Sequence, residues 1–217
     1  GLNLAGQLIM AGVILSTPGF LVLLVLARWL AKTGARPGHA WVGISLSLSL
    51  SISPLLWLIT GVLGFAWDAA TLSVAYLAFT VIGAYLLLRK TAPLLEWRGC
   101  TKHDLLRQLP VLSLVLIVLT TMTLRLLIVD SLVYPAWVDS PHHDLIVRLL
   151  ANSGTLPSDY RSLLPVRNFT YHFGFHTSVV SFVWLTGLAS PDAIAILGQV
   201  LNGLVPVGIY AFSRMVF

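Results

Sequence analysis

Four apolar runs fill residues 2–31, 40–67, 69–88 and 109–129, and each is long enough to cross a bilayer core of about 30 Å. Between them stand only a tight turn at Asp68 and two short loops rich in Lys and Arg. In lipid every backbone N–H and C=O must find a partner inside the protein, so such runs fold as helices or as a closed barrel. The run ISLSLSLSIS at 44–53 alternates with period two, the pattern of a strand. An open strand would leave its backbone unsatisfied in lipid, whereas serines in a membrane helix bond back to the preceding turn. A helix is therefore expected there. Pro18-Gly19 and Pro54 are expected kinks.

Charged residues make up only 10% of the chain and mean hydropathy is +0.90, against about 25% charged in soluble domains. The expected fold is thus an all-α polytopic membrane protein. It would have about six transmembrane helices: four in 1–129, and two in 177–217 that begin near His176 and at Ser190. Because the chain starts without Met and ends in an apolar run, it is expected to be part of something longer. A single cysteine, Cys100, excludes an internal disulfide and any multi-cysteine metal site. The net charge of +5 does not imply nucleic acid, because the basic residues form no patch interleaved with aromatics.

Those basic residues orient the chain instead. Arg28, Lys32 and Arg36 follow the first span, and Arg89, Lys90, Arg98, Lys102 and Arg107 follow the third. The positive-inside rule puts both loops in the cytoplasm and residues 130–176 outside, with a bacterial inner membrane as the expected location.

Residues 130–176 hold the polar island DSPHHDLIVRLLANSGTLPSDYRSLLPVRNFTYHFGFH, with four of the six histidines. Ser140 as cap, Pro141 at the first position and Asn152-Ser153-Gly154 as stop predict a helix over 141–151. At 100° per residue Leu145, Ile146, Leu149 and Leu150 share one face, with Asp144 and Arg148 opposite as an i,i+4 pair. The expectation is an amphipathic helix on the membrane surface. His142 falls within its apolar face and His143 at the edge. An extended loop over 155–167 follows.

The island also carries the candidate chemistry. Asp139 has three readings: general base toward an acceptor hydroxyl, metal ligand, or helix-start carboxylate. His142 and His143 are candidates for binding a metal or a phosphate, but adjacent helical side chains diverge by about 100° and chelate one ion poorly. A neutral His142 bonded to a backbone carbonyl is the structural alternative. His172 and His176, four apart, have the spacing of two imidazoles on one helix face and are the candidate divalent-metal pair. The zinc-protease motif would need a glutamate where Phe173 stands. Tyr171, Phe173 and Phe175 read as an interfacial aromatic belt. Arg125, inside the fourth span near its outer end, either snorkels to the interface or binds a lipid phosphate. No phosphate-cradling glycine loop and no Gly-x-Ser-x-Gly elbow is present.

Asp139 with His142 and His143, then Gly154, Leu156 and Pro157, then Tyr171, His172, Gly174, Phe175 and His176 resemble GT-C class polytopic glycosyltransferases. That class includes the protein O-mannosyltransferases and the aminoarabinose transferases. The resemblance implies transfer of a sugar from a polyprenyl-phosphate donor on the outer face. Asp139 would be catalytic with His143, while Arg125, His142, Arg148, Tyr171 and His172 would bind substrate. The Asp-Glu pair common in that class is Asp139-Ser140 here. The alternative expectation is a non-catalytic accessory subunit of a larger bacterial energy-transducing or transport complex, with His172 or His176 as axial ligands if it carried haem or pigment.

Overall fold

A computed structural model describes residues 2–32, 40–89, 105–130, 132, 139–161 and 163–216. Among them all regular structure is helical, in seven helices: α1 Leu4–Lys32, α2 Trp41–Val62, α3 Ala69–Leu88, α4 Leu105–Asp130, α5 Ser140–Ser153, α6 Gly174–Thr186 and α7 Ser190–Val216. Five of these (α1, α2, α3, α4 and α7) are long and apolar enough to cross a membrane. The protein is an all-α integral membrane protein. Most of the second basic loop lies outside the described residues, as does Arg36.

The expected sixth span is different in kind. Helix α6 has 13 residues, a length of about 20 Å, too short to cross alone. It is enclosed instead: α1, α2, α3, α5 and α7 all pack against it. Every residue from His176 to Phe182 is buried. The core is built where α5, α6 and α7 meet, from Ile146, Val147, Leu150, Val179, Val180, Phe182 and Leu197, with Ile14 and Leu15 added from α1. Helix α4 sits at the periphery. Its main partner is α7, and Leu112, Leu116, Leu119 and Leu127 face outward, as lipid contact requires.

The serine run is helical, and its hydroxyls explain how. Ser45, Ser47 and Ser51 donate to the carbonyls of Trp41, Gly43 and Ser47 at 2.8, 3.0 and 2.9 Å. Ser49 instead accepts from the Gly19 N–H at 2.8 Å, beside Pro18, which interrupts the ladder of α1. A Cβ on Gly19 would stand 2.0 Å from the Ser45 carbonyl oxygen, so glycine lets the two backbones touch. Asp68 caps α3 in a reciprocal capping box with Thr71.

The island helix is present, from Ser140 to Ser153, and its apolar face is turned onto α6 and α7. Gly154 ends it at φ +66°, where the Trp67 N–H donates to the Gly154 carbonyl at 2.8 Å. The segment expected to be extended closes on itself: the Tyr160 N–H bonds Val166 O and the Phe169 N–H bonds Ser158 O, each at 3.0 Å.

Candidate functional site

A cavity of about 730 Å³ opens between α4, α5 and α7 at the end of the bundle where the island stands. Thr121, Leu124, Ile128 and Val129 form the α4 wall, Ile194, Ala195 and Gly198 the α7 wall, and Phe175 closes the α6 side. Its polar lining is compact: Asp139 and His143 from α5 and its start, Arg125 from α4, and Gln199 and Asn202 from α7. Volume and character, apolar walls with a few converging polar groups, are those of a small-molecule site.

Each polar group arrives by a readable local cause. Asp139 is the residue before α5, and its backbone carbonyl accepts the first helical bond, from the His143 N–H at 3.0 Å. Its side chain makes no capping hydrogen bond, and the residue lines the cavity. Ser140, expected as the cap, is instead the first helical residue and is buried. Arg125 is anchored from α7. Its Nη1 donates to Gln199 Oε1 at 3.0 Å, which aims the guanidinium along the cavity wall.

His143 joins the cavity to a second cluster behind it. Its Nδ1 lies 2.8 Å from Nε2 of His176, with the two rings stacked at 5.0 Å between centroids. His176 is fully buried, with no hydrogen-bond partner in good geometry at its Nδ1. Burial holds the His176 pKa down at about 3; the neighbouring His143, His172 and His142 add repulsion, and the His172 carbonyl weakly opposes them. His143 is lowered too, by burial first and then by His142, with Asp139 pulling the other way. Both imidazoles are neutral at physiological pH.

Tyr171 packs among the imidazoles, its ring centroid 4.8 Å from His142, 5.7 Å from His143, 4.2 Å from His172 and 5.9 Å from His176. It is the ring that the four imidazoles share. His142 is exposed, not buried on the apolar face, and its Nε2 meets the Tyr160 hydroxyl at 3.1 Å instead of a backbone carbonyl. His172 lies ahead of α6, so the four-residue spacing does not put it on one helix face with His176; the rings are 6.2 Å apart and tilted by 53°. Among the described residues no group of three or more His, Cys, Asp or Glu is placed to hold a metal ion.

Arg148 stays apart from both clusters. It is exposed and pairs with Asp144 at 2.9 Å. Asp144 is the surprise, a buried carboxylate where the helical wheel expects a polar outer face. The hydroxyl of Ser190 donates to it, so Ser190 ties the start of α7 to α5. Gln199 and Asn202 were also missed. Their signal was present: two amides three apart in an apolar helix belong on an inward face. No family model, curated protein or solved structure matches this chain.

Proposed function

We propose that the protein is a membrane glycosyltransferase-like enzyme of GT-C type that takes a sugar from a polyprenyl-phosphate donor. The observation that carries this reading is the meeting of Asp139, Arg125 and His143 in one cavity beside the peripheral helix α4. A lipid-linked donor needs such a layout: an apolar flank for the chain, a cation for the phosphate, and a base for the acceptor. Asp139 takes the proton from the acceptor hydroxyl as its oxygen bonds to the anomeric carbon. The bond from that carbon to the phosphate oxygen breaks, and the polyprenyl phosphate leaves with a charge that Arg125 balances. The positive-inside count supports an outer-face site in a bacterial inner membrane. Purified protein in nanodiscs, supplied with radiolabelled polyprenyl-phosphate sugars, tests the reading. Asp139→Asn reduces transfer to background while thermal stability is retained; undiminished turnover in that variant rejects the catalytic role.

The membrane-length stretch of α4 has no buried residue, which favours a second reading as an accessory subunit covered by a larger partner. Purification in native lipid separates the two. A stoichiometric large partner supports the subunit, and a lone protein with bound polyprenyl lipid supports the enzyme.

A further inference from the structure

Two opposite charges line the cavity and do not meet. Asp139 and Arg125 border the same space, yet among the described residues the only ion pairs are Arg148 with Asp144 and Arg161 with Asp159. Arg125 stands within the membrane-length stretch of α4, in a wall otherwise built from Thr121, Leu124, Ile128 and Val129. A cation inside a span is costly unless an anion or a strong acceptor satisfies it, and such residues mark ligand or ion sites. One acceptor is present, Gln199 Oε1, at 3.0 Å from Nη1. A guanidinium carries several N–H donors in a fork, so its charge and most of its donors are left for a ligand.

The same contact fixes which way the Gln199 amide is turned. Arginine can only donate, so the atom it meets is the amide oxygen, and the Nε2 amino group is the end left over. Among the described residues that amino group has no hydrogen-bond partner, although Gln199 lines the cavity from within an apolar helix. An amide N–H in such a setting stays unsatisfied until a ligand or water supplies an oxygen. The geometry points to Gln199 as the second half of an oxyanion clamp. Its oxygen holds Arg125 in the cavity wall, while its amino group and the guanidinium together bind the phosphate oxygens of the ligand. The two halves come from α4 and α7, which touch closely nearby: a Cβ on Gly203 would stand 2.9 Å from Met122 Cε.

The clamp discriminates by charge. It offers one positive charge and two kinds of donor, which suits a phosphate ester and gives far less to the uncharged alcohol of the same chain. Asp139, bordering the same cavity, repels an anion lodged against it and so keeps the phosphate on the α4–α7 side. The lipid-linked identity of the ligand rests on the glycosyltransferase reading above. The clamp rests on the Arg125–Gln199 contact, the missing ion pair and the orientation of the amide.

Binding to the full chain in nanodiscs is measured at about pH 8 for a polyprenyl phosphate, the polyprenol of the same length and inorganic phosphate. The native protein is expected to prefer the polyprenyl phosphate over the polyprenol by at least about tenfold, the worth of one hydrogen bond to a charged group. Gln199→Glu keeps an oxygen for Arg125 but puts a negative charge in place of the amino donor, so the preference should vanish while polyprenol affinity is unchanged. Gln199→Leu leaves the cation without brace or second donor and should reduce the preference without abolishing it. Equal affinity for the two lipids in the native protein overturns the proposal, as does a preference that survives Gln199→Glu. Equal weakening of both lipids in the variants also overturns it, because Gln199 would then only support the fold. Where one variant fails to fold, the other decides. Inorganic phosphate bound in place of the lipid, and lost in the same variants, keeps the clamp and rejects the lipid-linked donor. A clamp that behaves as expected in a protein with no transfer activity rejects the transferase reading alone. Transfer that Asp139→Asn abolishes, beside a preference untouched by Gln199→Glu, rejects the clamp alone.

Discussion

Acid should unfold this protein through one buried ring. Well above pH 6.5 His176 is neutral whether the chain is folded or not, so it contributes no pH dependence. Below that value the unfolded chain binds a proton at about 6.5, whereas the folded chain resists until about 3. The folded pKa is depressed, so stability falls as pH falls between those two values. One proton difference is worth about 1.4 kcal/mol per pH unit at most, and the unfolded ring is half protonated at pH 6.5, so moving from pH 6.5 to 4.5 removes about 2 kcal/mol. Against typical stabilities of about 5–15 kcal/mol this is a large fraction. The depressed pKa of His143 pushes in the same direction. Thermal unfolding in detergent at a series of pH values, run on the native protein and on His176→Gln, isolates the term. The Gln variant keeps an amide toward His143 but has no ring to protonate, and should lose about 2 kcal/mol less over that interval. Parallel curves for the two proteins would refute the claim that burial of His176 carries the acid sensitivity.

Three glycines separate crowding from propensity. Gly154→Ala places a Cβ 2.1 Å from the Trp67 carbonyl oxygen at a residue with φ +66°, so left-handed strain and displacement add to a loss of about 2–4 kcal/mol in unfolding measurements. Gly19→Ala forces α1 away from α2, since its Cβ would lie 2.0 Å from Ser45 O, and should lower Tm markedly. Gly83→Ala in α3, with no atom within 4 Å, should change stability by under about 1 kcal/mol and serves as the matched control.

The helices were legible in the sequence because one physical demand, backbone satisfaction in lipid, overrides local pattern. That is why the alternating serines read correctly as helix. The convergence of Asp139, His143 and Arg125 was legible only as a set of candidates, because each is a polar group near the same end of an apolar bundle. Which face of α5 turns inward was not legible. The helical wheel centres the apolar arc near His142, but α6 and α7 together cover a broader arc shifted toward Val147 and Asp144. Burial of Asp144 becomes tolerable only through Arg148 and Ser190, and Ser190 stands 46 residues along the chain. Likewise the His172/His176 spacing implies a shared face only if the helix has begun, and α6 starts at Gly174, between them.

Helix α6 also constrains how the chain is assembled. Thirteen residues are too few to be held in a bilayer by their own hydrophobicity, and its serines and threonines (Thr177, Ser178, Ser181 and Thr186) weaken that hold further. It must be admitted to a berth already prepared by α1, α2 and α3 and shut by the later arrival of α7. The cavity beside Asp139 exists only once α7 has closed against α4 and α5.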